Sequence, residues 1–190
     1  MSRAVSLKAL INACKFSITE AEDRYSKWSG GITMRAAPES LVQTILAEQL
    51  FKAGGLIALE ASVQMLVKQS LGETPIKLPR NDHGRFDIVV YYASRKPRLL
   101  LEVKKSTGLN SLQQDHQRIV EVLKLCPKIQ SGIIVAYGTA VNAETVRGRI
   151  YAGCSLPNTK LVGEVQPFQV KGKFGGARVL GAGIYQIDPP

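Results

Sequence analysis

The chain has 190 residues, 45% of them hydrophobic and 21% charged, which fits one globular domain with its own apolar core and not a disordered chain. No run approaches the 20 or so apolar residues of a membrane span, and Lys8 and Lys15 break up the only N-terminal apolar run, so neither a signal peptide nor an anchor is expected and the cytoplasm is the expected location. Cys14, Cys126 and Cys154 are too far apart for a zinc site or disulfide framework, while a net charge of +10 favours a polyanionic partner.

In chain order, apolar positions at Val5, Leu7, Leu10, Ile11 and Cys14 predict a short helix over residues 3–15. Thr19 followed by Glu22 resembles a capping box and predicts a second helix to about Trp28, ended by Gly30-Gly31. Pro38 and Glu39 open a stronger helix with the stripe Leu41, Val42, Ile45, Leu46, Leu50 and Ala53, stopped by Gly54-Gly55. Residues 56–69 read equally as strand or helix. Strands are predicted at about 74–78, 85–92 and 98–105, the last two joined by a tight turn as an antiparallel hairpin.

Ser111 and Gln114 form another capping-box pattern, opening a helix to about Leu125 with Leu112, His116, Ile119, Val120 and Leu123 on its apolar face. A strand at Ile133–Tyr137, a helix from Asn142 to Ala152 and a terminal hairpin of Phe168–Val170 and Ala177–Ile187 complete the pattern. The expected fold class is α/β, a mixed sheet flanked by helices on both faces. We expect a single domain over 1–190: a helical N-terminal segment at 1–30, a core of about 38–153 and a C-terminal β-hairpin at about 166–188.

The chemistry concentrates in two stretches, Arg85–Tyr92 and Arg98–Lys105. Alternation along a strand puts Glu102 and Lys104 on one face and Leu101 and Val103 on the other. Charges among apolar strand residues are costly to bury unless they are paired or bind a metal. Asp87 begins the neighbouring strand, and hairpin pairing can bring its carboxylate beside that of Glu102. Two carboxylates on adjacent strands suit Mg²⁺ or Mn²⁺, and an adjacent lysine can position water or offset developing negative charge.

Asp87, fourteen intervening residues and then Glu102-Val103-Lys104 resemble the signature of the PD-(D/E)XK, or restriction endonuclease-like, nuclease superfamily. The resemblance spans roughly residues 38–137. It departs from the family's name at Phe86, which stands where the proline would be. It implies a restriction endonuclease-like core and metal-dependent hydrolysis of phosphodiester bonds in DNA. Asp87, Glu102 and Lys104 would be the catalytic residues. Asp87 and Glu102 would ligate Mg²⁺ or Mn²⁺, with the Val103 carbonyl and a glutamate from the preceding helix, Glu39 or alternatively Glu48.

Arg85, Arg98, Lys105 and Lys171 are the expected backbone-binding residues, and with only 6% aromatic residues a duplex is expected over a stacked single strand. Asp115 and Arg118 read as a surface ion pair, although some members of the superfamily hold polar residues near the site. His116 reads as a satisfied core histidine, and His83 as a turn residue. No base accompanies Ser40, Ser106 or the cysteines, and there is no P-loop. Two rival readings are a catalytically silent nucleic-acid-binding or assembly subunit of the same fold, and a basic α/β protein that binds other proteins. A homodimer would permit double-strand cuts.

Overall fold

Leu99–Leu101 is apolar on both faces, and in the computed structural model it is the centre of the sheet. The structure describes residues 5–72, 84–172 and 175–190. The elements run α1 (Leu7–Trp28), α2 (Glu39–Lys52), β1 (Leu56–Ser62), α3 (Val63–Leu71), β2 (Arg85–Tyr91), β3 (Pro97–Lys104), α4 (Leu109–Leu125), β4 (Ser131–Ala140), α5 (Ala143–Ala152), β5 (Thr159–Gly172) and β6 (Gly175–Ile187). The six strands form one mixed sheet in the order β1-β2-β3-β4-β6-β5. Only β3 and β4 are parallel, because α4 returns the chain between them; the other neighbours are antiparallel.

Each sheet face is covered, as the alternating apolar strands require. On one face α1 and α2 pack through Leu10, Ile18, Val42, Ile45 and Leu46 against Ile88, Val90, Leu101, Val103 and Val135. On the other, Leu66 of α3, Ile119 of α4 and Val146 of α5 cover Val89, Leu100, Ile134 and Tyr185. α4 lies so close to the sheet that a Cβ at Gly132 would sit 2.1 Å from Ile119 Cγ2, so that strand position accepts no side chain.

Several sequence expectations change. The two N-terminal helices are one. Ser6 caps α1 by accepting from the N–H of Ala9, and the Thr19 hydroxyl donates back to Lys15 and Phe16 carbonyls instead of capping a new helix. Pro38 is the residue before α2 rather than within its first turn. The ambiguous stretch 56–69 divides into β1 and α3 at Ser62, whose hydroxyl caps α3 through Met65 N. α4 starts three residues earlier than its apparent capping box: Gly108 is the cap, and the Ser111 hydroxyl donates to the Gly108 carbonyl. The terminal hairpin is much longer than the sequence pattern predicts, and β6, not β5, joins it to the sheet. The strand expected at 74–78, and His83, lie outside the described residues.

Candidate active site

β2 and β3 pair from the turn as far as Ile88 and Leu101. β2 remains paired with β1 down to Arg85, and β3 with β4 up to Lys104, so beyond Ile88 the two central strands follow different neighbours. The Asp87 carboxylate enters this opening. Its Oδ2 accepts from the N–H of Val103 at 2.6 Å, replacing the missing ladder bond next to Glu102. The hairpin thus brings Asp87 to the tripeptide.

Glu102 and Lys104 face α4, as strand alternation requires, while Leu101 and Val103 face α1 and α2. Glu102 is only 4% exposed, and its Oε1 accepts from Arg118 Nη2 at 2.6 Å. The same Arg118 nitrogen lies 2.9 Å from Asp115 Oδ1, and Lys104 Nζ lies 3.0 Å from Asp115 Oδ2. Arg118 also stacks its guanidinium over the Phe86 ring at 5.5 Å. Asp115 and Arg118 therefore are not the surface ion pair expected of them. Asp115 is buried, and with Arg118 it links α4 to Glu102 and Lys104 of β3.

Glu39, at the start of α2, accepts from the backbone N–H of Lys105, while Lys105 Nζ donates to the Ala37 carbonyl at 2.8 Å. Glu48 is not brought here; it pairs with Lys52 and Arg24 on the flank of α1 and α2. One turn beyond Glu39, the Gln43 amide donates to both the Asp87 carbonyl and Glu60 Oε1 at 2.9 Å. Glu60 reaches it from a left-handed kink in β1 (φ 53°). Gln43 and Glu60 were invisible in sequence, because a kink at a non-glycine position has no local signature. Asp115 did carry a signal: it shares the α4 stripe with Leu112 and Ile119.

Burial raises the pKa of both Asp87 and Glu102, and neighbouring carboxylates add to the effect. Burial, followed by Asp87 and Asp115, pushes Glu102 up to about 8 against the pull of Arg118. Asp87 is raised by burial and by Glu60, Glu39 and Asp115, opposed by its bond to Val103 N–H. Burial works against the Lys104 charge, but the hydrogen bond to Asp115 and the charges of Asp115, Glu39 and Glu102 outweigh it, leaving the amine more basic than an ordinary lysine.

Among the described residues no three His, Cys, Asp or Glu side chains form a ready-made metal cage. The donor set nevertheless suits Mg²⁺ or Mn²⁺, which take one or two carboxylates and fill the rest with water and phosphate oxygens. Buried Glu102 and half-buried Asp87 offer two hard oxygen donors, of the kind whose ionised form a divalent cation stabilises.

The other expected residues are scattered. Arg85 is exposed at the start of β2. Arg98 is not brought to the site: at the opposite end of β3 it donates to the Val5 carbonyl at 2.7 Å and Gln130 Oε1 at 3.0 Å, and lies over the Tyr92 ring. Lys171 lies in β5, and its side chain is outside the described residues. His116 is buried with Nε2 2.8 Å from the Pro157 carbonyl oxygen, the satisfied core histidine expected of it. Cys14, Cys126 and Cys154 are free thiols.

The arrangement defines a mixed α/β protein with a buried acid–base cluster at the end of its central strands, and among the described residues no helix is long and apolar enough to cross a membrane. No protein family, curated protein or solved structure matches the chain.

Proposed function

We propose that the protein is a metal-dependent nuclease that hydrolyses phosphodiester bonds in DNA, on a restriction endonuclease-like core. The observation that carries this reading is the bond from Val103 N–H to Asp87, which holds one carboxylate against the strand that bears Glu102 and Lys104. The series α2, β1, α3, β2, β3, α4, β4, with its parallel β3–β4 pair, supports the same reading of the fold.

In this reading Asp87 and Glu102 hold Mg²⁺ or Mn²⁺, with the Val103 carbonyl and Glu39 as further oxygen donors. The cation supplies charge stabilisation at the phosphate and a more acidic water. Lys104, kept protonated by Asp115, acts as a fixed positive charge that orients water and phosphate oxygen, not as the base. Arg118 donates to the Glu102 carboxyl in the metal-free protein and is the group that must yield when a cation binds.

That same Arg118–Glu102 pair favours a second reading, a nucleic-acid-binding subunit whose cluster is permanently self-neutralised and silent. Incubating plasmid DNA with Mg²⁺ separates the two. We expect cleavage by the wild-type protein and a loss of about a thousandfold in Lys104→Ala, the scale of removing one preorganised charge-stabilising group. Cleavage unchanged in Lys104→Ala would rule out the proposed site; DNA binding without cleavage by the wild type would establish the silent subunit.

A further inference from the structure

The carboxylate cluster faces α4, and a separate cleft lies at the same strand ends, where the start of α4, the segment before α2 and α5 meet. It measures about 570 Å³ and is bordered by Arg35, Lys105 and Arg149, by the Ser106–Gly108 loop, and by Tyr137 and Thr139 of β4. Three cations converge there from three elements. Arg35 precedes α2, Lys105 follows β3 and Arg149 lies on α5, and both arginines are exposed. Lys105 uses one donor on the Ala37 carbonyl and has others to offer. The nearby acid, Glu39, is already engaged by the Lys105 N–H and leaves the balance positive.

Two features mark this as a built site and not merely a basic surface. α4 points its positive end into the cleft, with Gly108 as a cap that has no side-chain bond and with no acidic residue in the first turn. Gly138 permits this approach, since a Cβ there would sit 3.2 Å from Thr107 Oγ1. The second feature is independent. Tyr137, only 1% exposed, lines the cleft with a buried hydroxyl that has no hydrogen-bond partner. A bound acceptor supplies the partner that this buried hydroxyl lacks.

We propose that this cleft binds a phosphate group, held by Arg35, Lys105 and Arg149, by the start of α4 and by a hydrogen bond from Tyr137. Its identification with a phosphate of nucleic acid, next to the one cleaved, rests on the nuclease reading; phosphate binding itself does not. The donors suit phosphate in particular: guanidinium forks and helix N–H groups match several oxygens at once, and the hydroxyl adds a directed donor.

The test is calorimetric titration with inorganic phosphate in EDTA, followed by short oligonucleotides with and without a 5′-phosphate. We expect Arg149→Ala and Arg35→Ala each to weaken phosphate binding about tenfold, the scale of losing one charge-assisted contact. Tyr137→Phe should weaken it about threefold while leaving the ligand-free protein as stable or more so, because the phenylalanine has no orphaned hydroxyl. Preference for the phosphorylated oligonucleotide assigns the cleft to a strand end, and equal binding assigns it to an internal linkage. No phosphate binding at millimolar concentration, or binding unchanged in both arginine variants, overturns the proposal. Plasmid cleavage that survives that outcome leaves the nuclease reading intact. Phosphate binding without cleavage does the reverse.

Discussion

The two ends of β3 each carry charge, and they use it differently. At the first end Arg98 is a cation with no acidic partner among the described residues, held by the Val5 carbonyl, Gln130 and the face of Tyr92. At the other, about 13 Å away at strand spacing, Glu102 is buried beside two further carboxylates and shares two cations with them. A satisfied single charge at a strand end fastens the fold. A buried group of like charges costs stability and persists where it binds something. Sequence alone ranks Arg98 and Lys105 together as basic residues flanking an acidic motif. Their partners separate them: Arg98 anchors the N-terminal segment, and Lys105 stands at the edge of the open cleft.

The sharpest probe of this contrast is pH. Glu102 has a folded-state pKa raised from 4.5 to about 8, so between those values the folded protein keeps a proton that the unfolded chain has released. Folding therefore takes up a proton, and stability in EDTA should fall as pH rises from about 5 to 8, by a few kcal/mol. Glu102→Gln, which keeps a partner for Arg118, should flatten this dependence and be the more stable protein at pH 8. Urea midpoints measured across the range decide it; an equal slope in wild type and Glu102→Gln would remove Glu102 as the strained group.

A cation should act on the same end and not on the other. At a hundred times its dissociation constant, Mn²⁺ should stabilise the protein by about 2.7 kcal/mol. At a fixed Mn²⁺ concentration the gain should increase with pH up to about 8, since binding must displace the Glu102 proton. Asp87→Asn should abolish the thermal shift while keeping an acceptor for Val103 N–H. A full shift in that variant would place any Mn²⁺ elsewhere.

Much of this site was legible in sequence, for a definite reason. Strand alternation fixes which side Glu102 and Lys104 face, and a tight turn fixes that Asp87 comes back beside them; both are local rules. The α4 contribution was only half legible. Asp115 sits on the helix's apolar stripe, the pattern of a buried polar residue, yet its spacing to Arg118 also fits an ordinary surface pair. Only the approach of α4 to β3 distinguishes the two, and that approach is a tertiary fact. Gln43 and Glu60 depend on a kink in β1 and on the position of α2, which no local pattern encodes. Thr19 shows the opposite error: its capping-box spacing is real, but a helix continuing to bury Ile18 and Ala21 overrides it.

The smallest effect concerns the quiet end of β3. Arg98→Ala removes the donors to Val5 and Gln130 and the cation over Tyr92, all at a partly exposed position. Each such contact contributes on the order of 0.5–1.5 kcal/mol, and they are not additive because they share one guanidinium. A loss of about 1–2 kcal/mol is expected, read as a lower urea midpoint with an unchanged slope. Hydrogen exchange should locate it: the Val5 segment and the start of α1 should lose protection, while β3 near Glu102 keeps its own, since the ladder to β4 runs through Lys104. On the nuclease reading DNA binding should be unaffected, because the side chain points its charge at the protein and lies far from both the cluster and the cleft. A drop in DNA affinity without loss of stability would return Arg98 to the nucleic-acid surface and dissolve the distinction between the two ends.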